Sequence, residues 1–250
     1  MSQQTVVRGS VDGTVATITL DSPHNRNALS RQLMTELAER LAEAEADTSV
    51  RVVVLESADR VFCSGADLSE ASGGSMAQGA QAIVDLMRSI VTLSKPVVAR
   101  VAGPVRAGGI GLVAACDIVI AAEEASFALT EVKLGLTPAV ISMTVLPRLT
   151  SRDAAYTFLT GEAFGGAEAA RMGLVTQAVA ADVLNDRVAE VCDSLATGAP
   201  QGLRETKALL AGDLVARIDA QRDDLAELSA RLFGSDEAKE AMTAFLSRGK

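Results

Sequence analysis

The sequence predicts an α/β fold with parallel strands, because predicted strands alternate with predicted helices along much of the chain. Residues 14–20 (TVATITL) are rich in β-branched side chains and indicate a strand, and the apolar run at 51–56 (RVVVLE) is typical of a strand buried on both faces. From about Ser151 the pattern becomes helical. We therefore expect an α/β core at residues 1–195 and a helical C-terminal region at 196–250.

The predicted elements follow one another with short connections. Residues 21–27 have the composition of a turn, and Ser30 is placed to cap a helix whose apolar side chains recur at helical spacing. The other predicted strands are 96–101 and 117–121, and the other predicted helices are 77–93, 182–195, 203–210, 215–233 and 236–246.

Composition narrows the classes of function. The formal net charge of -9 argues against a general nucleic-acid binder, which needs a basic face. The cysteines lack CxxC spacing, which favours reduced, buried thiols, and no side chains cluster at metal-ligand spacing. The apolar stretch at 112–122 contains Asp117 and falls short of the ~20 residues of a membrane helix. With no visible secretory signal, we expect a cytoplasmic protein without a membrane span.

The first candidate site is the segment 61–69 (VFCSGADLS), which follows the buried strand. Gly65 has no Cβ, so the backbone can turn tightly there and direct the next amide, that of Ala66, outward. Taken alone, the same pattern also fits an ordinary turn between a strand and a helix.

The second candidate is the segment 102–112 (AGPVRAGGIGL), which places Gly108 and Gly109 where a helix should begin. The N-terminus of a helix carries unpaired N–H groups and a partial positive charge, which can stabilise a developing oxyanion. Because the carboxyl ends of adjacent parallel strands share one edge of a sheet, we expect this turn to meet the first one.

The third candidate is Glu131, in the apolar segment 127–142 (FALTEVKLGLTPAVIS). Apolar surroundings raise the pKa of a carboxyl group and suit it to acid–base work near neutral pH. A surface glutamate paired with Lys133 is the alternative. His24, the only histidine, lies in a polar turn, which argues against catalysis that depends on histidine.

Together these segments resemble the enoyl-CoA hydratase/isomerase (crotonase) family. The resemblance runs from TITLDSPHNRNALS to DEAKEAMTAFLSR, and its most specific parts are FCSGADL, AGPVRAGGIGL leading into ACDIVIA, and FALTEVKLGLTP. It implies a crotonase-like spiral of ββα units with a helical C-terminal trimerisation region. It also implies a homotrimer, or a hexamer built as a dimer of trimers.

The resemblance implies a site for an acyl-CoA substrate. The amides of Ala66 and Gly108 would form an oxyanion hole, and Glu131 would be the catalytic acid–base. Coenzyme A would be part of the substrate, with no separate cofactor and no metal. Residues implied to contact CoA are Ala66, Asp67, Leu68 and Ser69 along the pantetheine, Arg26, Asn27 and Ala28 in the early turn, and Lys207 near a phosphate.

One position departs from the best-known hydratase pattern. Such enzymes have a second glutamate where this chain has Gly111. Some hydratases of the methylglutaconyl type show one glutamate in similar surroundings, so we predict that the protein is an enoyl-CoA hydratase. A Δ3-Δ2-enoyl-CoA isomerase that uses Glu131 as a single base, and an inactive acyl-CoA-binding protein, are the alternatives. Residues 70–90 and 138–142 are expected to border the acyl chain.

Overall fold

The computed structural model describes residues 4–70 and 76–248, and its strands form two sheets. In chain order the strands are β1 (Val7–Asp12), β2 (Val15–Leu20), β3 (Val52–Ser57), β4 (Val97–Val101), β5 (Val105–Arg106), β6 (Ile118–Ala122), β7 (Ser126–Ala128), β8 (Phe164–Gly165) and β9 (Gln177–Val179). The main sheet has the order β1-β2-β3-β4-β6-β9, and the small sheet has the order β5-β7-β8. In the main sheet only β1 and β2 pair antiparallel, which confirms the predicted α/β class.

The helices cover the sheets and form the C-terminal region. They are α1 (Arg31–Ala46), α2 (Met76–Thr92), α3 (Gly108–Ala115), α4 (Ser142–Val145), α5 (Ser151–Thr160), α6 (Gly166–Met172), α7 (Leu184–Ala196), α8 (Pro200–Phe233) and α9 (Asp236–Arg248). Short 3-10 turns are Pro23–Asn25, Thr130–Leu134, Leu146–Arg148 and Ala181–Val183. The predicted cap of α1 is confirmed, because Ser30 Oγ accepts a hydrogen bond from Leu33 N at 3.2 Å. Among the described helices, none is long and apolar enough to cross a membrane.

Strand β3 lies inside the main sheet, as its apolar sequence predicts. It pairs with β2 on one side and β4 on the other, and α7 packs against β3, β4 and β6. The three cysteines are free and buried, as predicted, and burial raises the pKa of the thiols of Cys63 and Cys116 to about 12. They therefore contribute to packing as neutral side chains.

Two predictions about the C-terminal part were wrong. The separate helices expected at 203–210 and 215–233 are one continuous helix, α8, because Gly212 weakens a helix by only about 1 kcal/mol and packing against α2 offsets that cost. The part after Ser151 is also not purely helical, since the short strand β9 pairs in parallel with β6. A strand of three residues is too short to show a periodic pattern. The division into regions 1–195 and 196–250 remains a prediction, and α7 ends close to that boundary.

Candidate active site

The two glycine-containing turns predicted to meet do lie against each other. Arg106 N donates a hydrogen bond to Cys63 O at 2.9 Å, which joins the turn after β4 to the turn after β3. Gly65 has a φ of +94°, and a Cβ at this position would lie only 2.8 Å from the Cβ of Ala107. Both the backbone conformation and this close approach therefore require glycine at position 65.

The backbone amides of Ala66 and Gly108 are free to bind an oxyanion. Within residues 4–70 and 76–248, neither N–H donates a hydrogen bond to another group of the chain. Gly108 is the first residue of α3, so its amide belongs to the unpaired, positively polarised end of that helix. Ala107 precedes it with φ +47° and ψ −121°, a conformation that sets the direction of the following N–H. The pair has the chemistry of an oxyanion hole.

Glu131 lies on the 3-10 turn that follows β7. Ala128, the last residue of β7, accepts a hydrogen bond from Ala107 N at 3.2 Å, so this turn starts beside the N-terminus of α3. The Oε2 atom of Glu131 is buried and has no hydrogen-bond partner among the described residues. Burial raises the pKa of the carboxyl from 4.5 to about 7, and only a bond from the residue's own backbone N–H opposes the rise. Among the described residues, Glu131 and Lys133 do not form an ion pair, which excludes the alternative of a surface glutamate paired with this lysine.

The raised pKa predicts a pH-dependent loss of stability. Between the unfolded value of 4.5 and the folded value of about 7, the folded chain retains a proton that the unfolded chain releases. The protonated Glu131 carboxyl therefore makes its full contribution to the free energy of unfolding below about pH 4.5. This contribution is lost as the pH rises through about 7. We expect Glu131→Gln to remove this loss and to be more stable than the parent by about 1–3 kcal/mol at pH 8. The lower end of this range allows for the partial exposure of the side chain, which weakens the effect of burial. Urea unfolding at pH 4.5 and pH 8 measures the difference, and an equal gap at both values would contradict the assignment.

The place of the second family glutamate is filled by apolar side chains. A Cβ on Gly111 would lie 2.6 Å from Ile141 Cγ2 and 2.8 Å from Met87 Sδ. Thr144 Oγ1 donates a hydrogen bond to Gly111 O at 3.1 Å, which holds α3 against α4. Of the two glutamate positions of the hydratase pattern, this chain therefore has only the one at Glu131.

The segments implied to contact CoA lie side by side next to the Ala66 amide. Ser64 N donates to Arg26 O at 3.1 Å, and Leu29 N donates to Gly65 O at 2.8 Å, so the early turn runs along the segment that contains Ala66. The residues implied to contact CoA differ in exposure. Arg26 and Ser69 are exposed, Asp67 and Leu68 are partly buried, and Ala28 is buried. Part of the segment expected to border the acyl chain, residues 71–75, lies outside the described residues.

Lys207 has a different environment from the one implied by the resemblance. Its side chain is only 5% exposed, and its Nζ contacts Asp117 Oδ2 at 2.7 Å. The same Nζ donates to Ile90 O at 2.9 Å and to Lys95 O at 3.0 Å. A lysine whose donors are engaged inside the chain is not presented to a phosphate. The prediction that Lys207 contacts a CoA phosphate is therefore wrong. It was based on a local sequence match, which does not reveal that the side chain is buried.

We expect Lys207→Met to reduce stability without weakening acyl-CoA binding. The change leaves the carboxylate of Asp117 without its ion-pair partner, which costs about 2–4 kcal/mol when that carboxylate is partly exposed. Urea unfolding and calorimetry with butyryl-CoA measure the two effects. Lys239→Met is a matched control, because Lys239 forms an exposed ion pair with Asp236, and its cost should stay within about 0.5 kcal/mol. A tenfold loss of affinity at unchanged stability would restore the phosphate role.

Two further features of the site had no sequence signal. Asn25 Nδ2 donates to Asp67 Oδ2 at 3.0 Å across 42 residues of sequence. Helix α9 packs against the turn that carries Glu131, where Gly135 lies close to the buried Ala238. Contacts between such distant segments follow from the fold and not from any local pattern.

The fold and the site geometry define a known class of protein. The family model described as "Enoyl-CoA hydratase/isomerase" matches residues 10–250. The chain therefore belongs to the enoyl-CoA hydratase/isomerase family, which confirms the resemblance seen in the sequence motifs.

Individual relatives carry both hydratase and isomerase names. A solved enoyl-CoA hydratase structure from Mycobacterium avium is 44% identical, with a TM-score of 0.92, and 98% of each chain is covered. The short-chain-enoyl-CoA hydratase of Clostridium acetobutylicum is 30% identical, over 96% of this chain and 94% of the relative. A peroxisomal Delta(3,5)-Delta(2,4)-dienoyl-CoA isomerase of Arabidopsis thaliana is 27% identical, over 98% and 94% of the two chains.

Proposed function

We propose that this protein is an enoyl-CoA hydratase, which adds water across the 2,3-double bond of an enoyl-CoA thioester. The observation that carries the proposal is a combination of three groups that lack hydrogen-bond partners among residues 4–70 and 76–248: the amides of Ala66 and Gly108 and the buried Oε2 of Glu131. The amides would bind the thioester oxygen, where negative charge develops in the transition state. Coenzyme A is then part of the substrate, and the chemistry uses no other cofactor.

The proposed reaction uses one carboxyl group for both proton transfers. The Glu131 carboxylate removes a proton from water while the water oxygen bonds to C3. The electron pair of the double bond then moves through C2 to the thioester oxygen and forms an enolate, which the two amides stabilise. The protonated Glu131 next delivers its proton to C2, and the carbonyl reforms. A pKa of about 7 allows the group to accept and release a proton near neutral pH.

The surroundings of Ala66 support a CoA-binding role for the adjacent segments. We propose that Arg26, Ala28, Leu68 and Ser69 contact the CoA moiety. Ala28 is only 5% exposed, so its share of this contact is small. Asp67 lies in the same segment, but its carboxylate accepts hydrogen bonds from Asn25 and Ser69 within the chain.

A homotrimer, or a hexamer formed from two trimers, is part of the proposal. Leu209 and Leu210 on α8 are 81% and 79% exposed, and large apolar side chains with this exposure suit a subunit contact. Light scattering of the purified protein tests the assembly. A cytoplasmic location likewise remains a prediction.

The hydratase proposal is tested by the ultraviolet absorbance of the conjugated enoyl thioester. Adding the protein to crotonyl-CoA or to a 3-methylglutaconyl-CoA should remove this absorbance as water adds. Unchanged absorbance with both substrates, at enzyme concentrations that bind them, would contradict the proposal.

A Δ3-Δ2-enoyl-CoA isomerase is the second candidate, and the surroundings of Gly111 favour it. Gly111 carries no carboxylate, and Ile141 and Met87 fill the space next to it. One base suffices to move a proton between C2 and C4. This activity would generate the conjugated absorbance from a 3-enoyl-CoA without incorporating oxygen from labelled water. An inactive acyl-CoA-binding protein would show binding by calorimetry and no turnover in either assay.

A further inference from the structure

We propose that Asn25 is a positioning residue, whose side-chain amide holds Asp67 and thereby keeps the neighbouring Ala66 N–H directed at the thioester oxygen. The inference rests on the proposed function, because it assigns the Ala66 amide to the oxyanion hole. It adds a residue that has no contact with the reacting atoms and that lies on a different segment of the chain.

Both oxygens of the Asp67 carboxylate accept hydrogen bonds from groups of the chain itself. Its Oδ1 accepts hydrogen bonds from Ser69 N at 3.0 Å and from Ser69 Oγ at 2.6 Å. Its Oδ2 accepts the bond from Asn25 Nδ2 at 3.0 Å. Burial alone would raise the pKa of this carboxyl, but the bonds from Ser69 and Asn25 outweigh burial and hold it below the usual value. Asp67 is therefore an ionised acceptor that fixes the backbone around it.

The orientation of the Asn25 side chain is itself determined by its partners. Its Oδ1 accepts a hydrogen bond from the hydroxyl of Ser22, a buried residue, at 2.7 Å. The NH₂ group must then face Asp67, because an ionised carboxylate can only accept. In addition, Ser64 Oγ donates to the backbone O of Asn25 at 3.1 Å. The early turn thus contacts the oxyanion segment before and after Ala66.

These contacts hold the Ala66 amide from both sides. On the N-terminal side, Gly65 O accepts a hydrogen bond from Leu29 N at 2.8 Å. On the C-terminal side, the corresponding fixed point is Asp67, and Asn25 is the residue that ties it to a distant segment. Ala66 itself is partly exposed and forms an isolated parallel bridge with Leu29, so its peptide group is held by backbone contacts and by the Asp67 side chain that follows it. Since a misplacement of about 1 Å at a reacting centre can cost ~10²-fold in rate, this tie has a consequence for catalysis.

Exchanging the two side chains gives a sharp test. Asn25→Asp alone places two carboxylates together and breaks the bond. Asp67→Asn alone does not, because the Asn25 amide can turn over, accept from the new NH₂ group and donate to Ser22 Oγ. In the double variant, the amide at position 67 can accept both bonds from Ser69 and donate to the carboxylate at position 25. That carboxylate can still accept from Ser22. The double variant therefore preserves every hydrogen bond and the net charge.

The readouts are kcat for hydration and the absorbance of a bound, unsaturated probe. The probe is the CoA thioester of 4-dimethylaminocinnamic acid, whose absorbance shifts to longer wavelength when hydrogen bonds polarise its carbonyl. We expect Asn25→Asp to lose about tenfold in kcat and most of the red shift, with KM changed less than kcat, and Asp67→Asn to lose less of both. We expect the double variant to recover both within about twofold. Thermal unfolding, measured on the same samples, shows that each variant is folded at the assay temperature.

Asn185→Asp is the control for an added negative charge, because Asn185 is exposed and its Oδ1 accepts from Arg100 on a different part of the surface. It should keep the wild-type kcat and red shift. A wild-type red shift in the folded Asn25→Asp variant, or a double variant no better than Asn25→Asp alone, would overturn the inference. If the wild type shifts the probe but hydrates no enoyl-CoA, the proposed function fails, and the red shifts still decide the role of Asn25.

Discussion

Glu131→Gln is expected to lower kcat by about 10²–10⁴-fold while the affinity for butyryl-CoA changes little. The amide has nearly the shape of the carboxyl but can neither accept the proton of water nor return it to C2. In the wild type, the carboxylate is the active form, so kcat/KM should rise with pH through about 7, where the buried carboxyl ionises. This rise should be missing from any residual activity of the variant.

Steady-state rates between pH 5 and 9, together with calorimetry, check this prediction. Glu124→Gln is a suitable control, because Glu124 is an exposed carboxylate on the same part of the chain, just before β7. Near-wild-type activity in Glu131→Gln would contradict the hydratase and the isomerase proposals together, since both use this residue as the base.

Gly65→Ala is expected to lower kcat by about 10²–10³-fold, the usual cost of losing one donor of an oxyanion hole. The new methyl group would meet the Cβ of Ala107 at 2.8 Å, and the φ of +94° disfavours any side chain at this position. Relief of both conflicts has to move the segment that carries the Ala66 amide. Stability should fall by about 1–3 kcal/mol, so rates need to be compared at a temperature where the variant is folded.

Gly13→Ala separates the backbone cost from the effect on the site. Gly13 also has a positive φ, +55°, but a Cβ there would meet nothing within 4 Å. It lies between β1 and β2, beside the N-terminal end of β3, whereas the oxyanion segment at 61–69 follows the C-terminal end of β3. This variant should lose about 1 kcal/mol of stability and keep its activity. A Gly65→Ala variant with wild-type kcat would show that the Ala66 amide is not required for the reaction.

The elements with strong local patterns were predictable. The apolar run of β3, the periodic helix α1 and the capping hydroxyl of Ser30 all depend on residues that are close in sequence. The same holds for the two glycine turns, because Gly65 and Gly108 occupy positions where a side chain would collide with a neighbouring segment. Here the local pattern and the tertiary structure require the same residue.

Other features depend on which distant segments the fold brings together. The prediction that Lys207 approaches a CoA phosphate was wrong, because the burial of Lys207 against Asp117 arises only when α8 packs on the core. The bond between Asn25 and Asp67 links two polar residues that would each fit an ordinary turn. Neither interaction has a period, a spacing or a composition that could distinguish it in one sequence.

The packing around Gly111 also constrains how this enzyme could evolve. A substitution that introduces a second glutamate there would first collide with Ile141 and Met87. Smaller side chains at those two positions would have to appear earlier, and each would leave a cavity that costs stability before any benefit arises. A two-glutamate descendant is thus separated from this sequence by intermediates of lower stability. The order of substitutions, and not only their number, would decide whether a lineage can reach it.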